Sequence, residues 1–245
     1  MSFSRRAGWI GLLLGLAWAQ ATGAAEAARA SAEDLRAQQL VGSAAYRAAV
    51  AAFDRDYDRF VQELIFLTEI PAPPFKEQVR AEAFAKLLRE VGLADVQIDA
   101  EGNALGLWRG TAGDAAPLLA VAAHLDTVFP EGTDVKVKRN GTRLSAPGIG
   151  DDTRGLAFLL AAIRAMKAAG ITTRSNILFI GNVGEEGPGD LRGMRYLFQK
   201  GPWKDRIKRF ITVDGSNNDL ITNGALGSKR YRVTFKGPGG HSWGA

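Results

Sequence analysis

Leu118-Leu-Ala-Val-Ala-Ala-His-Leu-Asp126 is the stretch from which the fold of this chain can be read. Leu118 to Ala123 is an uninterrupted apolar run of strand length, and His124 stands where it ends. Two later runs end in the same manner. Ile177 to Val183 leads into Gly184-Glu-Glu-Gly187, and Phe210 to Val213 leads into Asp214-Gly215. Between them, Gly150-Asp-Asp152 precedes a helical pattern from Thr153 to Ala169, with Gly170 as its stop. Sites in open α/β sheets form at the carboxyl ends of strands. The pattern therefore gathers one imidazole and several carboxylates along one sheet edge. Imidazole with carboxylate, and no thiolate, suits zinc and similar divalent ions.

Outward from this centre, the chain alternates helix and strand patterns. Ser31 to Thr68 is helical in pattern, with Phe53, Tyr57, Phe60, Leu64 and Leu67 recurring at spacings of three and four. Ile70-Pro-Ala-Pro-Pro-Phe75 must be extended, because proline blocks helix and restrains the residue before it. Glu77 to Val91 is an amphipathic helix stopped by Gly92, and Leu191 to Gln199 is a shorter one. Val96 to Ile98 and Ala104 to Trp108 are strands, and Val135 to Lys138 with Arg143 to Ser145 forms a hairpin around Asn140-Gly141. The class expected is α/β, with a mixed, largely parallel sheet flanked by helices. Arg192 and Arg195 read as a solvated helix face, and Trp203 and Trp243 as core or interface aromatics.

The chain has 245 residues, 46% hydrophobic and 23% charged, enough for a packed core. There is no cysteine, so disulfides and thiolate metal sites are excluded. The formal charge of +5 is a mild excess, partly in Arg5 and Arg6, with no basic run beyond Lys204 to Arg209. Nucleic acid is not an expected partner. Arg5-Arg6, the apolar stretch Ala7 to Ala19 and the small residues through Ala30 follow the pattern of a secretory signal. The apolar part is short for a membrane span. Residues 1–25 are accordingly read as a signal peptide, with export to the periplasm or medium and no stable membrane insertion after cleavage.

Five motifs together resemble the cocatalytic dizinc peptidases, a family that includes tripeptidase T, bacterial glutamate carboxypeptidase, aminoacylase and succinyl-diaminopimelate desuccinylase. They are His124-Leu-Asp126-Thr-Val, Ala146-Pro-Gly-Ile-Gly-Asp-Asp-Thr-Arg-Gly155, Gly184-Glu-Glu-Gly187, Val213-Asp-Gly215 and Gly237-Pro-Gly-Gly-His-Ser242, in the family's order. The resemblance implies two zinc ions per site, with Co2+ or Mn2+ as alternatives. It implies that His124 and Asp214 bind one ion, Glu186 the other, and that Asp151 bridges both. Asp152 is the rival for the bridge, but gapless alignment of Pro147-Gly-Ile and Gly155-Leu-Ala selects Asp151. It implies that Asp126 hydrogen-bonds the second ring nitrogen of His124, and that Glu185 is the general base. His241 would reach a substrate carbonyl across a homodimer interface. The family often has Lys two residues after the bridging Asp, where this chain has Thr153.

By the same resemblance, residues 26–226 form the N-terminal part of a catalytic domain, and 227–245 begin an inserted α+β lid. The family pattern also needs a late metal-binding His, whereas both histidines here are already assigned. The sequence thus reads as the first part of a longer protein.

The chemistry suits these residue types. Two metal ions about 3.5–4 Å apart lower the pKa of bound water and polarise a carbonyl, which is what amide hydrolysis requires. A bridging carboxylate holds them at that separation, and a second carboxylate moves the protons. Taken singly, each motif has a plainer reading. Asp151-Asp152 could cap the following helix, Glu185-Glu186 could be a solvated turn, and Asp214-Gly215 a turn former. The expected function is hydrolysis of short peptides in the aminopeptidase or tripeptidase manner, towards which Val213-Asp-Gly215 leans. The alternatives are deacylation or desuccinylation of N-acyl amino acids, and a non-catalytic chain that binds metal or peptide.

Overall fold

A computed structural model describes residues 31–215, 220–224, 226–227, 229, 231–240 and 243. The expected signal segment and His241 lie outside the described residues. The chain falls into two units, the first ending at Gly215 and the second beginning at Ser216. The expected lid segment lies within the second.

The N-terminal helical region resolves into α1 (Ala32–Val41), α2 (Ala44–Arg55) and α3 (Tyr57–Thr68). Ser31 and Asp34 form a capping box at the start of α1, and the Ser43 hydroxyl accepts the Tyr46 N–H at the start of α2. After the proline segment comes α4 (Gln78–Glu90), followed by Gly92 at φ +76°, a conformation that glycine adopts without steric penalty.

The main sheet contains β1 (Ala94–Ile98), β2 (Ala104–Trp108), β3 (Leu118–His124), β6 (Asn176–Asn182) and β7 (Ile207–Thr212), in the order β1-β2-β6-β3-β7. It is mixed: β1, β2 and β6 pair antiparallel, whereas β6, β3 and β7 pair parallel. Helix α5 (Arg154–Ala168) connects β3 to β6, and α6 (Arg192–Gln199) connects β6 to β7.

Strand alternation distributes the core over both sheet faces. Ala123, Ile177 and Phe179 pack with Phe84 and Leu88 of α4 and Leu156, Leu159 and Ile163 of α5. Leu118, Ala120, Ala122, Leu178 and Ile180 face the opposite way, towards Leu197 of α6. All of β6 is buried, as expected of a central strand covered on both faces.

The hairpin is β4 (Lys138–Asn140) with β5 (Arg143–Ser145), so its first strand begins later than the expected Val135. The cause is Glu69. Its carboxylate accepts the Val137 N–H at 3.1 Å and the Lys136 ammonium at 2.7 Å, which ties this segment to the end of α3.

Register then sets the level of the site. His124 of β3 pairs with Asn182 at the end of β6, and Ala122 pairs with Thr212 at the end of β7. The three parallel strands finish together, and their following residues share one edge of the sheet.

Candidate metal centre

His124 closes β3 and is 2% exposed. Its backbone N–H donates to Asp152 Oδ2 at 2.9 Å. Its Nδ1 lies 2.9 Å from the carbonyl oxygen of Asp126, and its Nε2 lies 2.8 Å from Asp151 Oδ1 and 3.9 Å from Asp214 Oδ1. The ring nitrogens are therefore divided: one is oriented by the backbone, and the other faces carboxylates.

Asp126 is the residue that contacts the second ring nitrogen of His124. The carbonyl makes the hydrogen bond, and carboxylate Oδ1 stands 3.6 Å from Nδ1. The reason is that the carboxylate is engaged elsewhere, with Oδ1 accepting the Glu185 N–H at 3.0 Å and Oδ2 the Glu186 N–H at 2.8 Å. One residue thus holds both the imidazole and the turn that bears the paired glutamates. Burial would raise the Asp126 pKa, but His124 and these two N–H groups outweigh it and hold the acid below its usual range.

The adjacent aspartates separate sharply. Asp151 is exposed and turned to His124, whereas Asp152 is buried. Asp152 Oδ1 accepts the Gly155 N–H at 3.1 Å, so its side chain ties the end of β3 to the first turn of α5. A Cβ on Gly155 would lie 2.3 Å from that oxygen, which leaves room only for glycine. Burial raises Asp152 to about 8, against the opposing pull of His124 and the two N–H donors. The plainer capping reading thus applies to Asp152, while Asp151 faces the site. Thr153 is buried, and its hydroxyl donates to the Gly148 carbonyl at 2.9 Å.

Two groups of donor atoms, each spanning no more than 4.8 Å, meet at His124: His124 with Asp151 and Asp214, and His124 with Glu185 and Glu186. Among the described residues, Glu186 is grouped with His124 and Glu185 rather than with the expected bridge Asp151. The electrostatics fit a cation. Burial first, then neighbouring carboxylates, raise Glu185 and Glu186, with Asp214 acting on the former and Asp151 on the latter. A divalent ion would relieve that crowding, and imidazole plus carboxylate oxygen is a fitting donor set for zinc.

Other side chains support the centre without an obvious motif. Arg80 is 1% exposed and donates to the carbonyls of Ile70 at 2.5 and 3.0 Å, of Leu125 at 2.8 Å and of Thr68 at 3.4 Å. Burial lowers its pKa to about 10, while the nearby Asp126 charge opposes that fall. Asn103 is fully buried, accepts the Val183 N–H and donates to the Gly193 carbonyl. Arg192, expected on a solvated face, is instead drawn into contacts with Glu77 and Glu101, whereas Arg195 is exposed as expected. Trp203 packs against the core, and Trp243 is exposed. Arg80 had a sequence signal: it lies one turn before Phe84, on the helix face that Phe84 and Leu88 bury.

Parallel strands ending together on a histidine-carboxylate cluster define a metal-binding α/β protein. Residues 120–238, just under half of the chain, match the model of peptidase family M20/M25/M40. It is 33% identical over 151 residues to the succinyl-diaminopimelate desuccinylase of Burkholderia mallei (strain SAVP1), a match covering 57% of this chain and 39% of that protein. The chain thus spans about two-fifths of the length of such curated relatives. Its fold is similar to that of the di-peptidase Dug1p from Saccharomyces cerevisiae, with a TM-score of 0.57 and 17% identity over 69% of this chain and 40% of that one. It is also similar to aminopeptidase PepT from Bacillus cereus, with a TM-score of 0.52 and 24% identity over 64% of this chain and 43% of that one.

The division between the aspartates is testable. Asp151→Ala should lose bound zinc with little change in unfolding free energy, because the side chain is 58% exposed. Asp152→Ala should retain more zinc and lose about 1–3 kcal/mol of stability, because two N–H groups lose their acceptor. Zinc per chain and urea unfolding of each variant provide the check, and equal zinc loss in both would contradict the division.

Metal uptake should also release protons. Burial would lower His124, but the carboxylates of Asp126, Asp152 and Asp151 outweigh it and raise the imidazole to about 10. At pH 7 the metal-free imidazole therefore carries a proton that it would have to give up on binding a metal ion through that nitrogen. Zinc affinity should rise as pH rises towards 10. Calorimetry at pH 7 in buffers of different ionisation enthalpy should show release of about one proton or more per ion, and buffer-independent heats would contradict this.

Proposed function

We propose that this chain carries the metal-binding and proton-transfer groups of a metal-dependent amide hydrolase acting on short peptides in the aminopeptidase or tripeptidase manner. The observation that supports this most is the convergence of Asp151, Asp214, Glu185 and Glu186 on His124 at one sheet edge. His124, Asp151, Asp214 and Glu186 would hold divalent ions, and zinc is the ion this donor set favours. Such ions supply Lewis acidity towards the scissile carbonyl and the attacking water.

The chain's own residues do the rest. Asp126 holds the Glu185–Glu186 turn through two backbone N–H groups and orients His124 through its carbonyl. The raised affinity of Glu185 for protons suits it to accept one from the attacking water and deliver it to the leaving amine. Its neighbour Glu186 has its backbone fixed by the same acid, so the two carboxylates can divide proton transfer and ligation between them.

A second reading is deacylation of N-acyl amino acids, favoured by the 33% identity to a desuccinylase. Both reactions cleave an amide and would use the same residues. The Arg5-Arg6 leader supports export to the periplasm or medium, and the Gly237–Ser242 motif supports a homodimer in which His241 reaches across. The test is to load the protein with zinc and assay di- and tripeptides beside N-succinyl and N-acetyl amino acids. Peptide turnover supports the first reading, and turnover confined to acyl amino acids supports the second. Zinc binding without hydrolysis in either assay would reduce the role to metal binding, and absence of zinc binding would sink the reading entirely.

A further inference from the structure

The turn bearing Glu185 and Glu186 is folded tightly on itself: a Cβ on Gly189 would lie 2.5 Å from Gly184 Cα. On one side, Asp126 accepts both glutamate N–H groups. On the other stands Arg192. A Cβ on Gly184 would lie 2.6 Å from Arg192 Cγ and 2.9 Å from its Nε, so the turn rests directly on the stem of this side chain. Asp190 and Leu191 bring the chain there in left-handed conformations, with φ of 51° and 55°. Non-glycine residues hold such conformations only where their surroundings enforce them.

The guanidinium is fixed on three sides. It donates to Glu77 Oε2 at 2.7 Å, to the Glu101 carbonyl at 2.8 Å and to Glu101 Oε1 at 3.2 Å, and it lies 5.3 Å from the centre of the Phe75 ring. Glu77 is itself buried. The same Arg192 lines an open groove of about 660 Å³, bordered also by Phe75, Glu101 and Val183. These contacts hold the arginine at the edge of the groove.

We propose that Arg192 is a positioning residue for Glu185 and Glu186. It braces from α6 the turn that Asp126 braces from the loop after β3, so that proton acceptor and metal ligand keep one spacing. The proposal rests on the function proposed above, because only that reading gives the spacing a purpose. The mechanism is mechanical support through Gly184, with the fork geometry of arginine engaging Glu77 and Glu101 together. Lysine cannot reproduce that fork.

The test is amide hydrogen exchange on the metal-free protein. Arg192→Ala should accelerate exchange at Glu185 and Glu186 by about tenfold or more through local opening, with the β3 amides of Ala120 and Ala122 unchanged. Arg192→Lys, which keeps a charge against Glu77, should give a smaller rise at the same two amides and serves if the alanine variant does not fold. Zinc competition titration provides a second readout. Affinity should fall in the Arg192 variants and stay unchanged in Lys86→Ala, an exposed control whose side chain is 75% exposed. Unchanged exchange at both glutamates in the Arg192 variants would overturn the proposal, as would equal acceleration throughout β3. The exchange arm uses neither zinc nor substrate. Failure of the unmodified protein to bind zinc would therefore count against the proposed function, while the exchange result would still decide whether Arg192 braces the turn.

Discussion

Glu185→Gln is expected to lower amide hydrolysis by about 10²–10⁴-fold in a hydrolysis-competent form of the protein, while zinc content stays nearly constant. The substitution preserves size and the backbone N–H that Asp126 accepts, and it removes only the basic carboxylate. Glu186→Gln should do the reverse and weaken zinc binding first. Burial and three neighbouring carboxylates raise Glu185, against the pull of His124. A base so placed holds its proton to a higher pH than an exposed glutamate does. A bound divalent ion would oppose that rise, so the base is identified by the loss of the rising limb of the pH–rate profile in Glu185→Gln. Rate, zinc per chain and pH profile measured together decide the matter. If Glu185→Gln strips zinc and Glu186→Gln does not, the two roles are exchanged.

Arg80→Ala should produce the largest loss of stability. The guanidinium satisfies the carbonyls of Thr68, Ile70 and Leu125, two of them just where α3 ends. Removing it leaves buried acceptors without donors and opens a void beside Phe84. A cost of about 3–5 kcal/mol follows from desolvated carbonyls and lost packing. That corresponds to a fall in melting temperature on the order of 10 °C for a domain of this size. The loss should extend to the site, because Leu125 lies between His124 and Asp126. Zinc affinity should weaken along with stability. A melting temperature within a degree or two of the unmodified protein would mean that water replaces the guanidinium, and that Arg80 is not the anchor inferred here.

By itself, the sequence determined the elements and the edge on which chemistry would collect. The run Leu118 to Ala123 and the buried run from Ile177 specify strands because their length and apolarity allow little else, and both appear as β3 and β6. The Gly-rich acidic segments follow those runs directly, so the common end of parallel strands brings His124, Glu185, Glu186 and Asp214 to one edge. That much is local pattern combined with the geometry of α/β sheets.

Only the tertiary structure decided how the neighbours divide their tasks. Asp151 and Asp152 are chemically alike and adjacent, and burial alone distinguishes the residue facing His124 from the residue tying β3 to α5. The Asp126 carboxylate could have met the imidazole, but it meets the backbone of a turn some sixty residues away in sequence. Arg192 has the helical spacing of a solvated residue, and Arg195 behaves as one. Gly184, Glu77 and Glu101 draw Arg192 inward because they converge on it from distant points of the chain. Such contacts depend on which side chains meet after the sheet has closed, and no local periodicity encodes that.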